Sequence, residues 1–263
     1  LCPMHPTLIR IGSFEIRTYG VAIALGLIVG LAWSRREFQR RNLPSEFVST
    51  AALVVIPSGI ICARLLYVAL NWEEYADDLL SVLNLRAGGL SLFGALIGGI
   101  ASLALICRAS KVNFWEVGDA LSQGYMLAYA LGRVGCFFNG CCIGYPTNLP
   151  WAMRFLTEEG TMTPPSHPVP LYEAVGALLT FAILRRIHRV RSFLGQEMIA
   201  ALMIHLLIRF ANEIFRRGVS AKVTAIGLTQ AQIACAIGMA ILIWLYWRRK
   251  VKECAAVTGT RSS

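Results

Sequence analysis

Six ionisable side chains fall inside or at the ends of long apolar runs of this chain: Arg64, Asp119, Arg133, Glu173, Arg209 and Glu213. A charge at membrane depth costs about 2.5 to 3.5 kcal/mol on insertion scales, so such residues usually face a partner, a cavity or a ligand. Guanidinium offers phosphate oxygens a fixed fork of donors, and arginines directed into one interior would make a phosphate site. Among apolar helices the natural phosphate is a lipid headgroup. The blander reading is that each arginine pairs with an acid and only locks helices together.

Spacing groups these residues further. At about 100° per residue, Asp119, Gln123 and Arg133 project within one arc of a helix, bordered by Ser122 and Tyr129. His205, Arg209, Asn212 and Arg216 share a stripe of another, with Glu213 beside it, and Arg64, Tyr67 and Asn71 form a third. The segment Gly132-Arg133-Val134-Gly135-Cys136-Phe137-Phe138-Asn139-Gly140-Cys141-Cys142-Ile143-Gly144 holds four glycines in thirteen positions. Glycines let backbone amides approach an anion; they also permit a tight re-entrant turn sheltered by protein. The two readings are compatible.

The elements that must position these groups follow from composition. The chain has 263 residues, 56% hydrophobic and 15% charged, where soluble domains carry about 25% charged residues. This excludes disorder and an ordinary soluble enzyme, and makes the membrane the expected solvent. A bilayer core asks for about 20 apolar residues per helix, and seven such runs occur, at roughly 19–34, 47–70, 88–107, 115–135, 170–187, 195–210 and 229–247. Of the 25 Lys+Arg, fifteen lie in the connections 35–46, 108–114 and 185–193 and the tail 248–263, against seven in the alternate connections. Basic residues collect on the cytoplasmic side, so the expected fold is an all-α membrane protein of seven spans, N-terminus outside and C-terminus inside. One polytopic domain, 1–263, is expected, with 136–168 an external loop, 248–263 a cytoplasmic tail and no signal peptide at the start. The net charge of +10 then reflects topology and attraction to anionic lipid. The basic loops lack the aromatics and folds of nucleic-acid binders, so no nucleic-acid partner is expected.

The eight cysteines, Cys2, Cys62, Cys107, Cys136, Cys141, Cys142, Cys235 and Cys254, form no disulfide framework. Cys136, Cys141 and Cys142 lack paired Cys-x-x-Cys spacing and a fourth ligand, which argues against zinc. A disulfide on an oxidising external face, or small residues beside a tight turn, are the other readings. No cofactor or metal is expected.

At these residues the chain resembles the bacterial phosphatidylglycerol–prolipoprotein diacylglyceryl transferase family. The resemblance runs through Tyr19-Gly20, Ala63 to Tyr67, Gly88 to Gly98, Asp119, the Gly132 to Gly144 segment, His167-Pro168, Leu171-Tyr172-Glu173 and the helix from Arg209 to Arg216. It implies a multi-pass protein of the bacterial inner membrane. Its phosphate-contacting arginines would be Arg133 and Arg209, with Tyr19, Asn139, Gly144 and Glu213 also matching family positions; Arg64, Asp119, Glu173, Gly132, Gly135 and Gly140 complete the expected substrate site. Many members carry His at the position of Phe93, Asn at Cys136, Glu at Cys141 and Tyr at His205.

The implied reaction takes phosphatidylglycerol, a membrane lipid, and a prolipoprotein signal peptide with a lipobox cysteine. The thiolate displaces the headgroup phosphate from the glycerol carbon, giving a thioether and glycerol 1-phosphate. Arg133 and Arg209 suit the developing charge on the leaving group. With Phe93 unable to move a proton, the base must come from His5, His167, His188 or His205. His205, one turn before Arg209, is the candidate, with His167 second; a structural His205 is the alternative. Two other functions stay open: a catalytically altered relative that binds anionic lipid or uses another acceptor, and a transporter with an arginine-lined path. Broken helices repeated in both halves would favour transport, and no such repeat is visible.

Overall fold

The computed structural model describes residues 7–11, 14–76, 78–84, 88–156, 161–216 and 227–259. The expectations placed on Cys2, His5, Arg86, Arg217, Lys222 and Arg261 lie outside them. Seven α-helices run in order: α1 Thr18–Arg40, α2 Glu46–Leu70, α3 Leu92–Ala109, α4 Phe114–Phe138, α5 Val169–Val190, α6 Gln196–Glu213 and α7 Gln230–Gly259. Each overlaps one of the seven apolar runs, although α3 starts four residues inside its run and α7 continues twelve residues past its own.

The helical class is joined by one small feature that hydropathy did not predict. Strands β1 Thr7–Ile11 and β2 Phe14–Arg17 pair antiparallel ahead of α1. Their β-branched and aromatic residues alternate with charged ones, the period of a pleated ribbon rather than of a helix.

By length and composition, four of the described helices can cross a membrane: Thr18–Arg40, Glu46–Leu70, Leu92–Ala109 and, in α7, Gln230–Glu253. Helices α4, α5 and α6 lack an apolar stretch of that length and composition, and they hold Asp119, Arg133, Glu173, His205, Arg209 and Glu213. The residues that dilute the apolar signal include those proposed for chemistry.

The described residues form two compact units. One contains Arg35–Val117. Within it α2 packs along α3, and Phe38, Phe47, Val48, Ala51 and Leu103 are buried. The other contains Leu1–Ser34 and Gly118–Ser263, where α6 packs against both α5 and α7. Met126, Ala130, Ala177, Leu184 and Ala201 form a buried cluster from α4, α5 and α6, bordered by Tyr125, Tyr129 and Phe181.

The glycine-rich segment is not a re-entrant loop from its start. Helix α4 continues through Phe138, so Gly132 to Phe138 are helical and only Asn139 to Gly144 turn. The helix closes by Gly140 N donating to Phe137 O at 3.1 Å and Cys141 N donating to Cys136 O at 3.2 Å. These two bonds are the Schellman pair, with Gly140 at the left-handed position that favours glycine; its φ is +69°.

Candidate functional site

Three helices of the second unit bring the ionisable groups together. From α4, Arg133 Nε lies 2.6 Å from Glu173 Oε2 of α5. Tyr129, one turn earlier on α4, donates to the same Oε2 at 3.4 Å, and the Arg133 guanidinium stands 4.8 Å over the Tyr129 ring. From α6, Arg209 Nη1 donates to Glu213 Oε2, one turn on.

His205 sits between these pairs. Its ring meets Tyr129 edge-on with centroids 4.6 Å apart, and Tyr125 lies at 5.8 Å. Only 3% of the residue is exposed, and both Arg133 and Arg209 are within electrostatic reach of it. Buried polar atoms are almost always satisfied, yet His205 Nε2, Glu173 Oε1 and Glu213 Oε1 are buried here without hydrogen-bond partners.

Below the end of α4 the chain is pinned to the end of α6. Gly144 forms an antiparallel bridge with Arg216 and donates its N–H to His167 O at 3.0 Å. A Cβ on Gly144 would lie 2.5 Å from Phe215 O, so only a bare backbone fits. Arg216 is past the last residue of α6, not on its stripe as helical spacing suggested. From there its Nη2 donates to Cys142 Sγ at 3.2 Å, and its Nη1 stands 4.0 Å from Glu173 Oε1. Contacts with the Cys136 and Cys141 thiols, and then the Arg216 charge, hold the Cys142 thiol below its ordinary pKa.

Tyr19 opens α1 and lies close enough to Arg133 and the three cysteines to interact electrostatically with them. Gly135 allows that approach: a Cβ there would lie 2.7 Å from Ala22 Cβ and 3.4 Å from Tyr19 O. Gly132 has open space where a side chain would stand. Asn139 is the residue between helix and Gly140, its N–H bonded to Gly135 O at 3.0 Å.

Two expected members have other partners. Asp119 Oδ2 accepts from Gly195 N at 2.8 Å and Oδ1 from Met198 N at 2.9 Å, so this carboxylate caps the N-terminus of α6, where free amides need an acceptor. Fourteen residues separate it from Arg133 on α4, about 21 Å at 1.5 Å per residue. Arg64, in the first unit, directs its guanidinium to backbone carbonyls: Nε to Val82 O, Nη1 to Gly88 O and Gly89 O, and Nη2 to Ser81 O and Asn84 O, at 2.8 to 3.2 Å. It holds the carbonyls of Ser81, Val82, Asn84, Gly88 and Gly89 rather than an acid. His167, the second candidate base, contacts Tyr172 Oη through Nδ1 at 3.2 Å. His188 is paired with Glu197 at 2.9 Å.

Arg216 and Tyr129 complete the arginine–carboxylate cluster, and neither was among the residues assigned to the expected site. For Tyr129 the signal was present, since it borders the polar arc of α4. For Arg216 spacing gave only a place on the α6 stripe, and its actual position depends on α6 stopping at Glu213.

The sequence profile of the prolipoprotein diacylglyceryl transferase family matches residues 6–248. The chain belongs to that family. It is 32% identical over 244 residues to the phosphatidylglycerol–prolipoprotein diacylglyceryl transferase of Clostridioides difficile (strain 630), covering 92% of this chain and 94% of that protein. The enzyme of the same name from Nostoc sp. (strain PCC 7120) is 31% identical over 260 residues, 93% and 90% of the two chains. That of Halalkalibacterium halodurans is 32% identical over 267 residues, 96% and 89%. Family membership and apolar helices make this a multi-pass membrane enzyme, a diacylglyceryl transferase acting in lipoprotein biosynthesis.

Proposed function

We propose that this chain transfers the diacylglyceryl group of phosphatidylglycerol to the lipobox cysteine of prolipoproteins, with Arg133 and Arg209 holding the headgroup phosphate. The observation that carries the reading is that both guanidiniums, from separate helices, lie within electrostatic reach of His205, whose buried Nε2 has no partner. Each arginine also meets a carboxylate. That pairing leaves capacity for phosphate, because a guanidinium has five N–H donors and one carboxylate cannot occupy them all. Glu173 and Glu213 then orient the two arginines.

In the reaction His205 Nε2 takes the proton of the acceptor thiol, and the sulfur attacks the glycerol carbon that bears the headgroup phosphate. The new C–S bond forms as the C–O bond breaks, and its electron pair leaves with glycerol 1-phosphate. A free thiol has a pKa of about 8.5, so a base is needed near neutral pH. Charge growing on the departing phosphate is met by preorganised guanidinium donors away from bulk water. Tyr19, Asn139 and the amides around Gly140 and Gly144 border the same end of α4 and complete the headgroup site.

The chain is read as one polytopic domain crossing the bacterial inner membrane seven times, with the N-terminus and 136–168 outside and the tail inside. The polarity of α4, α5 and α6 is consistent with spans that face one another around the site. A lipid with two acyl chains enters such a site from the side.

Purified protein incubated with labelled phosphatidylglycerol and a lipobox peptide tests the proposal. Label is expected on the peptide cysteine and glycerol 1-phosphate in solution; a peptide left unmodified under conditions where the protein stays folded would overturn it.

A further inference from the structure

The sulfur atoms of Cys136, Cys141 and Cys142 all lie within 4.8 Å of one another, and backbone geometry puts them there. The Schellman closure at Gly140 folds Cys141 back over Cys136, since it brings the second residue past the helix end against the last turn. Cys142 follows with φ +60°, a left-handed conformation that costs a non-glycine residue about 1 kcal/mol or more. The linear spacing argued against zinc because Cys-x-x-Cys pairs are missing; the capped helix end supplies the convergence that such pairs usually provide.

A disulfide would consume two of these thiols and leave the third beside it. Three convergent sulfurs instead match one face of a tetrahedral thiolate site. Three thiolates around a divalent cation carry one net negative charge, and Arg216 Nη2, 3.2 Å from Cys142 Sγ, supplies the compensating positive charge. We propose that Cys136, Cys141 and Cys142 together bind one thiophilic divalent cation of the zinc class, leaving a fourth coordination position open.

Binding releases the three thiol protons to solvent. Three protein ligands with one open position are the arrangement of reactive zinc sites, whereas structural sites are closed by four. Tyr19, Arg133, Asn139 and Arg216 are polar neighbours of the trio, so the cluster borders the proposed headgroup site. Resting on the function proposed above, the fourth ligand is the sulfur of the acceptor cysteine, which binds the ion as its proton passes to the base. The ion thus takes up the task of presenting a sulfur nucleophile in a chain that carries Phe93.

The test uses the full chain, purified and reduced in detergent, titrated with Co(II) and then Zn(II). One Co(II) per chain, with sulfur-to-metal charge-transfer bands that Zn(II) abolishes, is expected. Cys136→Ser, Cys141→Ser and Cys142→Ser should each weaken binding by at least about tenfold, while Cys62→Ser does not. X-ray absorption of the wild-type zinc form, which needs no variant to fold, should count three sulfur neighbours at about 2.3 Å. No stoichiometric ion, undiminished binding in Cys142→Ser, or a disulfide joining two of the trio in protein isolated from membranes would overturn the site. A lipobox peptide should shift the cobalt bands where its serine version does not; no shift, or transfer unaffected by metal removal, overturns the fourth-ligand assignment alone. Metal bound in a protein that transfers no lipid supports the site and overturns the proposed function.

Discussion

Glu173 Oε2 receives Arg133 Nε at 2.6 Å and Tyr129 Oη at 3.4 Å, while Arg216 Nη1 stands 4.0 Å from its other oxygen. One buried carboxylate thus sets the positions of two arginines from different parts of the chain. A buried pair broken by removing one partner costs about 3 to 5 kcal/mol. Glu173→Gln keeps the shape and removes the charge, so it should lower thermal stability in detergent by that order and reduce transfer in the surviving folded protein. Unchanged melting and unchanged kcat/KM would show that the carboxylate does not organise the cluster.

Arg133→Ala and Arg209→Ala should each reduce kcat by about 10² to 10³, the loss seen when one donor to a developing oxyanion is removed. Lysine should rescue neither, since a point charge lacks the guanidinium fork. Transfer rates on phosphatidylglycerol vesicles, normalised to folded protein, measure this; lysine variants with wild-type rates would rule out bidentate phosphate binding.

His205→Asn should lower kcat by about 10² with little change in KM, within the range for loss of a general base. In the wild type, rate falls on the acid side as the base becomes protonated. That acid limb should vanish from the pH–rate profile of the variant, and its persistence there would move the base elsewhere.

Asp119→Ala removes the acceptor for Gly195 N and Met198 N. Loss of such a cap costs about 0.5 to 2 kcal/mol, so the melting temperature should drop, with kcat per folded molecule falling far less than in Arg133→Ala. A kinetic loss as large as that of Arg133→Ala, without destabilisation, would return Asp119 to the substrate site.

The sequence made the helices legible because each apolar run is long enough to demand one. It also singled out Arg133, Arg209 and His205, since a charged or titratable group in an apolar stretch needs a reason to be there. Angular periodicity was less informative. It put Asp119 and Arg133 on one arc of α4, but it carries no depth, and the two sit at opposite ends of the helix with different partners. Arg64 was legible as unusual but not as the binder of five carbonyls, because those acceptors lie 17 to 25 residues away in the sequence. The cysteine trio was hidden for a related reason: its geometry depends on a helix ending at Phe138, whereas the apolar run ended near residue 135 and placed all three cysteines in the following loop.

The clasp between Asp119 and the first amides of α6 joins α4 to α6 far from the proposed site. Arg133 lies about 21 Å along α4 from that clasp and Arg209 about 20 Å along α6 from its start, so the two helices resemble the arms of tongs sharing a far pivot. The joint between the two helices and the arginines they carry are therefore separate regions, and a change that loosens one leaves the contacts of the other in place.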